Sequence, residues 1–462
     1  MNLPEKFSSY TAELFGKESY ESFLRALEED APVSVRLNPV KSFGFQEEGK
    51  VPWCEQGYYL SERPTFTFDP LFHSGCYYVQ EASSMFLDAV LRHYVSRPVR
   101  MLDLCAAPGG KSTLACSALP EGSLLVANEL IRPRAQVLAE NIIKWGYPDT
   151  IVTNNDSADF SFLENYFDVV LADVPCSGEG MFRKDPDSIS EWSPDNVEQC
   201  WMRQRQIIDN VWPCLKPGGL LIYSTCTYNI KEDEDNVGWM KDKYGAEVLD
   251  VDIPQEWGIT RNLAGTGFPV FRFLPHCTKG EGFFLSILRK VDTDGQSSCF
   301  RYPKDKKKKT EKPLPFPKEC RGWLLNADRY DIEVQDTAVL AIPKVFADDF
   351  RLLGSRMKVL HAGIKLAEIK GKDCIPDHSL AMSRELKQEV FPCFEVDYSM
   401  AIAYLRKESV VLSESAPRGY VLLTYRHIPI GFVKNIGNRA NNLYPQEWRI
   451  RSGYFPDKII CL

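Results

Sequence analysis

From Pro98 onward, short apolar runs alternate with segments of helical spacing, and the runs end on acids or amides. Val99–Leu104 reads as a strand, Ala106–Gly110 as a turn and Lys111–Leu119 as a helix. Ser123–Asn128 is the next strand, closed by Glu129, and Pro133–Trp145 is the next helix. Thr150–Thr153 then ends at Asn154, Asn155 and Asp156. Apolar runs rich in β-branched residues are what strands buried on both faces look like, and their alternation with helices predicts a parallel, doubly wound α/β sheet. In such a sheet ligands bind just beyond the carboxyl ends of the strands. The acids at those ends are therefore candidates for ligand contact.

The most informative run lies in Phe167–Arg183, FDVVLADVPCSGEGMFR. It stops at Asp173, Pro175 and Cys176, and a glycine-punctuated loop follows at Ser177–Gly180. A second run, GGLLIYSTCTYN at Gly218–Asn229, also ends in a thiol, Cys226, and Pro194–Leu215 between them has the length of a helix. If these strands are neighbours, both sulfurs face one pocket beside Asp173. Asp185–Asp195, rich in Pro and Asp and carrying Trp192, is long enough to act as a lid or substrate loop.

The first turn, Asp103–Ser112, reads DLCAAPGGKS. It is not a P-loop, because Cys105 replaces the first required glycine and Pro108 lacks an N–H that the phosphate cradle would use; nor is it G-x-G-x-x-G. A Gly-Gly turn still lets backbone approach a ligand closely, which sets Ala106, Ala107, Pro108, Gly109 and Gly110 along a cofactor. Asp103 suits a cationic amino-acid moiety, Glu129 stands where a carboxylate takes ribose hydroxyls, and Asp156 could accept from an adenine amino group. Capping a helix is the ordinary use of any one such acid. Three at successive strand ends describe S-adenosylmethionine better than a cofactor with a pyrophosphate.

The two thiols point to a reaction. A thiolate adds to C6 of a pyrimidine, which turns C5 into an enamine-like carbon able to take a methyl group from a sulfonium. A proton must then leave C5 and the thiol be eliminated, so a second acid or base is needed near the ring. Asp173 could pair with the protonated N3 edge. A lone cysteine is ordinarily a buried small hydrophobe; two thiols and a carboxylate at adjoining strand ends suit cytosine C5 methylation.

With 462 residues the chain should hold two or three domains, since one core stops growing near about 250–300 residues. Its 55 Lys+Arg against 63 Asp+Glu exclude a polybasic binder, so nucleic-acid contact must come from a local patch. Fourteen cysteines lie scattered without a C-x-x-C pair, which disfavours a metal site and a disulfide framework. The N-terminus lacks a basic-then-apolar signal and no apolar run suggests a membrane span, so a cytoplasmic protein is expected. Residues 1–95 read as a small α+β domain, with a helix at Ser19–Glu29 and a strand at Val33–Pro39, and nothing in them carries chemistry on its own terms. Asp292–Pro317, with KDKKKK at Lys304–Lys309, reads as a linker with a solvated charge run. The end of the chain is strand-rich, with aromatics interleaved among Arg and Lys in a pattern that suits RNA.

DLCAAPGGKS, ADVPCSGEGMFRKDPD and YSTCTYN resemble the motifs of the RNA 5-methylcytosine methyltransferases, the NOL1/NOP2/Sun group. Within it the chain is similar nearly end to end to the bacterial ribosomal RNA small-subunit methyltransferase F (YebU-like) family. VSVRLNP near Arg36, YYVQEASSM at Tyr77–Met85, GEGFF at Gly280–Phe284 and HIPIGFVKNIGNRANNLYP at His427–Pro445 carry that match. The central motifs are specific; the terminal ones are looser and choose the subfamily.

The resemblance implies a Rossmann-like class I methyltransferase sheet with an N-terminal α+β domain and a C-terminal RNA-binding region ending in a PUA-like domain. It divides the chain into 1–95, a methyltransferase domain 96–292, a linker 293–318, an intermediate domain 319–393 and a PUA-like domain 394–462. It also implies Cys226 as nucleophile, Cys176 as the residue that helps product release, Asp173 as the contact to the base edge and Lys111 as an active-site neighbour. Asp103, Glu129 and Asp156 would hold S-adenosylmethionine, with Arg134 near it and Lys111 and Asp173 beside it. Cys105 stands where many members have alanine. The implied partner is small-subunit (16S) ribosomal RNA or the small subunit, with no membrane or metal and a monomeric state.

Three rivals remain. A transfer RNA methyltransferase of the same group would share every catalytic residue, whereas a DNA cytosine methyltransferase would draw its nucleophile from the Pro-Cys motif and not need Cys226. Intact Cys176, Cys226, Glu129 and Asp173 argue against a non-catalytic ribosome assembly factor.

Overall fold

A computed structural model describes residues 1–45, 49–292, 300, 302, 317–453, 459, 461 and 462. Most of the expected linker, including Lys304–Lys309, lies outside the described residues.

The chain opens with a helix the sequence reading missed, α1 (Glu5–Phe15), and α2 (Lys17–Glu28) follows at once. Gly16 between them has φ +77°, a conformation that glycine adopts without strain and that breaks the run into two helices. Strands β1 (Val33–Leu37), β2 (Gly57–Leu60) and β3 (Tyr77–Val79) form a small antiparallel sheet in the order β2-β1-β3, with α3 (Pro70–His73) and α4 (Leu87–Tyr94) after β2 and β3.

The strand–helix alternation appears where the sequence places it: β4 (Arg100–Asp103), α5 (Gly110–Ala118), β5 (Leu124–Asn128), α6 (Arg132–Trp145), β6 (Thr150–Thr153) and β7 (Phe167–Asp173). Then come α7 (Asp187–Glu191), α8 (Pro194–Val211), β8 (Leu215–Thr225) and α9 (Glu234–Tyr244). Local chemistry sets the helix ends. Ser193 accepts the Asn196 N–H at the start of α8 with Pro194 behind it, and Gly146, in the left-handed region, closes α6. Strands β9 (Glu247–Leu249), β10 (Phe271–Phe273) and β11 (Phe283–Arg289) complete this part.

Five of these strands, β6-β5-β4-β7-β8, are parallel neighbours, and β11 lies antiparallel on β8. The chain runs outward from β4 through β5 to β6 and then returns to β7 on the other side of β4. That reversal is a topological switch point, and it lies between the ends of β4 and β7. Leu102, Val126, Val170 and Leu221 from four of these strands are buried in one core on one face, while Met101, Leu125, Leu171 and Ile222 share a second core on the other. This is why the runs read as continuously apolar.

The last part holds β12 (Tyr330–Gln335), β13 (Ala338–Pro343), α10 (Ala347–Arg356), β14 (Val359–Ala362), β15 (Ile364–Lys370), β16 (Asp373–Pro376) and α11 (His378–Met382). β14 leaves its neighbours and pairs antiparallel with β6, so a strand from this late segment ends the methyltransferase sheet. Finally β17 (Cys393–Glu395), α12 (Tyr398–Leu405), β18 (Gly419–Tyr425), β19 (Ile428–Asn435) and β20 (Ala440–Asn442) form a four-stranded sheet. The β18–β19 hairpin turns on Arg426 and His427, with φ +50° and +64°, which is the left-handed pair a two-residue hairpin of this hand requires.

Candidate active site

β7 and β8 pair in parallel with Asp173 opposite Ser224, so the loops beyond them start side by side. The result is a contact between the two thiols: Cys176 Sγ lies 3.2 Å from Cys226 Sγ, and the Cys226 N–H also approaches the Cys176 sulfur at 3.3 Å. Asp173 sits at the mouth of the same loops. Its carboxylate accepts from Lys111 Nζ at 2.8 Å and from Ser224 Oγ at 2.7 Å. Burial pulls the Lys111 ammonium down, but the Asp173 charge and hydrogen bond outweigh it and hold the group above its ordinary value. The hydrogen bond to the Cys226 sulfur, together with burial, pushes the Cys176 thiol well up. Cys176 is therefore held as a thiol.

A cleft of about 170 Å³ opens between β4 and β7. Asp103, Ala106, Ala107, Pro108, Gly110, Lys111 and Asp173 line it on the sheet side. Tyr78, Gln80, Glu81 and Ser84 line the other side. These four belong to the N-terminal segment from which the sequence predicts no chemistry. The only sign of them in the sequence is YYVQEASSM, and no residue in that stretch announces a ligand by type. Arg36, fully buried, supports the turn from behind: it donates to the Gly110 carbonyl at 3.2 Å, to Thr113 Oγ1 at 2.6 Å and to Gln80 Oε1 at 2.8 Å.

Asp103 is fully buried, and one oxygen accepts the Ser112 hydroxyl at 2.6 Å while the other has no partner. Burial raises its carboxyl to about 7, with the Ser112 bond opposing. An orphaned, buried acceptor in a cleft wall is what a ligand's cationic group would complete. Arg134 donates to the Ala107 carbonyl at 3.0 Å and pairs with Glu129 at 3.6 Å, so it joins the turn to the end of β5. Glu129 is buried and also accepts the Ile131 N–H at 2.9 Å. Neither Glu129, Arg134 nor Asp156 lines the 170 Å³ cleft. The Asp156 carboxylate is exposed and caps the turn after β6, accepting the Ala158 N–H at 2.9 Å. Cys105 also lines the cleft, and burial and the nearby acids push its thiol up.

The Asp185–Asp195 loop is not the free lid its composition suggests. Trp192 is buried among Phe7, Phe23 and Phe182, and its indole N–H donates to Glu179 at 2.9 Å. Sequence reasoning also missed Glu179 itself, a fully buried acid within the loop that follows Cys176. Among the described residues no group of His, Cys, Asp or Glu is gathered that could hold a metal ion. Nor, among them, is any helix long and apolar enough to cross a membrane.

Three family models match the chain in order: the N-terminal domain of 16S rRNA methyltransferase RsmF over residues 3–82, 16S rRNA methyltransferase RsmB/F over 96–289, and the methyltransferase RsmF PUA domain over 391–450. The ribosomal RNA small subunit methyltransferase F of Shigella boydii serotype 18 is 31% identical over 453 residues, covering 93% of this chain and 92% of its own. The chain belongs to the ribosomal RNA small subunit methyltransferase F family. The Escherichia coli O139:H28 protein of the same name is 30% identical over equal shares. Among solved structures, a methyltransferase homolog from Pyrococcus horikoshii matches 62% of this chain and 95% of its own with a TM-score of 0.54 at 27% identity. NSun6 from the same organism, solved with SFG, gives 0.54 over 63% and 98% at 21% identity and supports the fold. The sheet is thus that of an S-adenosylmethionine-dependent methyltransferase in an RNA methyltransferase family, with a PUA domain at its C-terminal end.

Proposed function

We propose that this chain transfers a methyl group from S-adenosylmethionine to C5 of a cytosine in 16S ribosomal RNA, through a covalent bond between Cys226 and C6. The observation that carries this reading is the 3.2 Å contact of two thiols beside the Lys111–Asp173 pair. The relatives' printed names supply the RNA.

The Cys226 sulfur adds to C6, and the ring's electrons move toward N3, where Asp173, steadied by Ser224 and Lys111, meets the base edge. S-adenosylmethionine, when bound, supplies the methyl carbon that the nucleophilic C5 takes. Loss of the C5 proton to solvent restores the C5–C6 double bond and expels the Cys226 sulfur as thiolate. Cys176, held as a thiol against that sulfur, stabilises the leaving thiolate with its S–H. The unpartnered Asp103 oxygen and the turn through Ala106, Ala107, Pro108 and Gly110 line the cleft and suit the cofactor's amino-acid part. Gly109 and Glu129 lie outside that lining, and the ribose role of Glu129 rests on the family resemblance. The direct test is methylation of 16S ribosomal RNA and of transfer RNA with labelled S-adenosylmethionine, followed by nucleoside analysis. 5-Methylcytidine in the ribosomal RNA supports the reading; a different methylated nucleoside, or label in transfer RNA alone, defeats it.

Two outcomes follow for the cofactor. Glu129→Ala should weaken S-adenosylmethionine binding by about 1.5–3 kcal/mol, as for a lost hydrogen bond to a charged group. Unchanged affinity by calorimetry in a folded variant would remove Glu129 from the site.

The second outcome concerns pH. The fold favours neutral Asp103, so this group costs stability as pH rises from its unfolded value, about 4, to about 7. A cationic ligand needs the ionised form. Affinity should therefore rise about tenfold per pH unit up to about pH 7 and then level off, and Asp103→Asn should bind weakly with a flat profile. A wild-type profile that is flat between pH 5.5 and 7 in calorimetry would be inconsistent with this role.

A further inference from the structure

The two thiol-bearing loops are tied together by two buried glutamates placed reciprocally. Glu179 belongs to the Cys176 loop, yet its carboxylate takes its bonds largely from residues directly after Cys226. Thr227 Oγ1 donates at 2.6 Å, the Tyr228 N–H at 2.8 Å and Asn229 Nδ2 at 3.1 Å. Trp192 Nε1 donates at 2.9 Å, and the Tyr10 hydroxyl from α1 donates as well. Glu232 belongs to the Cys226 side, yet it accepts the N–H of Ser177, the residue after Cys176, at 3.0 Å. Gln204 Nε2 at 2.7 Å and Asn229 Nδ2 at 2.8 Å complete its shell. A third tie is the Gly180 N–H on the Cys226 carbonyl at 2.9 Å.

Both carboxylates are fully buried, and a buried carboxylate is tolerated only when its oxygens are filled with donors. Apolar side chains would pack the same space without the desolvation cost, but they would not fix the direction of either loop. Neither acid lines the cofactor cleft or takes part in the chemistry above.

We propose that Glu179, opposed by Glu232, is the positioning residue that holds the Cys176 and Cys226 sulfurs in contact, so that one can face the base while the other faces its neighbour. The inference rests on the reading of the two cysteines given above. Five donors converge on Glu179 from three parts of the chain: α1, the Trp192 loop and the segment after Cys226. The N-terminal helix thereby becomes part of the support of the thiol pair.

Glu179→Gln keeps the shape but turns an NH2 group toward donors whichever way the amide lies. In the full-length protein we expect kcat to fall about 100-fold, the usual consequence of a small misplacement of reacting groups, with KM for RNA unchanged. The ratio of iodoacetamide alkylation rates at Cys226 and Cys176, read by peptide mass spectrometry without RNA, should change about tenfold, because alkylation follows the thiolate of each sulfur. An unchanged kcat overturns the proposal. So does a lower kcat with the wild-type alkylation ratio, since that is what a merely structural role predicts. If Glu179→Gln does not fold, Thr227→Val and Thr227→Ser decide. A shifted ratio in the first and the wild-type ratio in the second support the brace; equal ratios in both overturn it. The alkylation readout needs no turnover, so it separates failure of the brace from failure of the covalent mechanism, which would show instead as methylation by Cys226→Ala.

Discussion

Cys226→Ala is expected to neither methylate RNA nor join to it, whereas Cys176→Ala should methylate at most once and remain covalently attached. The two sulfurs lie 3.2 Å apart, but the proposed reaction needs only one bond to the base. In the proposed mechanism Cys226 carries the bond to the base, and the Cys176 thiol, pushed well up by its bond to Cys226 and by burial, is the partner for its departure. Without Cys176 the adduct can form and take the methyl group, then stall before elimination. The target cytosine must also leave its stacked neighbours, at a few kcal/mol, so the trapped species should form best on unpaired RNA. A denaturing gel with labelled RNA and S-adenosylmethionine reads the result. An adduct with Cys226→Ala but not with Cys176→Ala would reverse the assignment, and methylation by both variants would end the covalent mechanism.

The contact between those thiols was legible because a parallel sheet writes itself locally. Each of β4, β5, β6 and β7 is an apolar run buried on both faces, and Asp103, Glu129 and Asp173 fall just where the runs stop. The neighbourhood of Cys176 and Cys226 followed from two such runs separated by one helix. What stayed hidden depends on distance along the chain. β14 reaches β6 across roughly two hundred residues, and nothing in VLHA says that its partner is TIVT. Tyr78, Gln80 and Glu81 look like an ordinary strand end until β3 is laid against the Gly110 turn. Asp156 is a case where the ordinary reading of an acid after a strand, a cap, is plainly present in the structure. Glu179 was invisible for a further reason: an acid between two glycines reads as a solvated turn, and only the donors arriving from Tyr10, Trp192, Thr227, Tyr228 and Asn229 show why it is buried.

Gly282→Ala should produce the second large effect, and Gly238→Ala the opposite one. In the GEGFF stretch a Cβ on Gly282 would lie 2.5 Å from the Tyr228 ring and hydroxyl. That ring is fully buried and boxed in by Phe15 and Phe23, so it has no room to retreat. The Gly282 carbonyl in turn lies 2.5 Å from where a Cβ on Gly180 would stand, and the Cys226 carbonyl 3.0 Å from the same point. Three backbone segments thus meet at Tyr228, close in sequence to Cys226, with no space for a methyl group. Overpacking of this kind costs about 1–3 kcal/mol, and displacement of the Cys226 loop should lower kcat about 100-fold while S-adenosylmethionine still binds. Gly238 lies inside α9, where a Cβ would meet only the Phe268 ring at an ordinary 3.8 Å. There alanine restores helix propensity and should stabilise the protein by about 0.5–1 kcal/mol without touching activity. Urea unfolding and single-turnover methylation of both variants test the pair. If Gly282→Ala kept wild-type stability and rate, the tight meeting of Gly180, Gly282 and Tyr228 would not be what fixes the loop that carries Cys226.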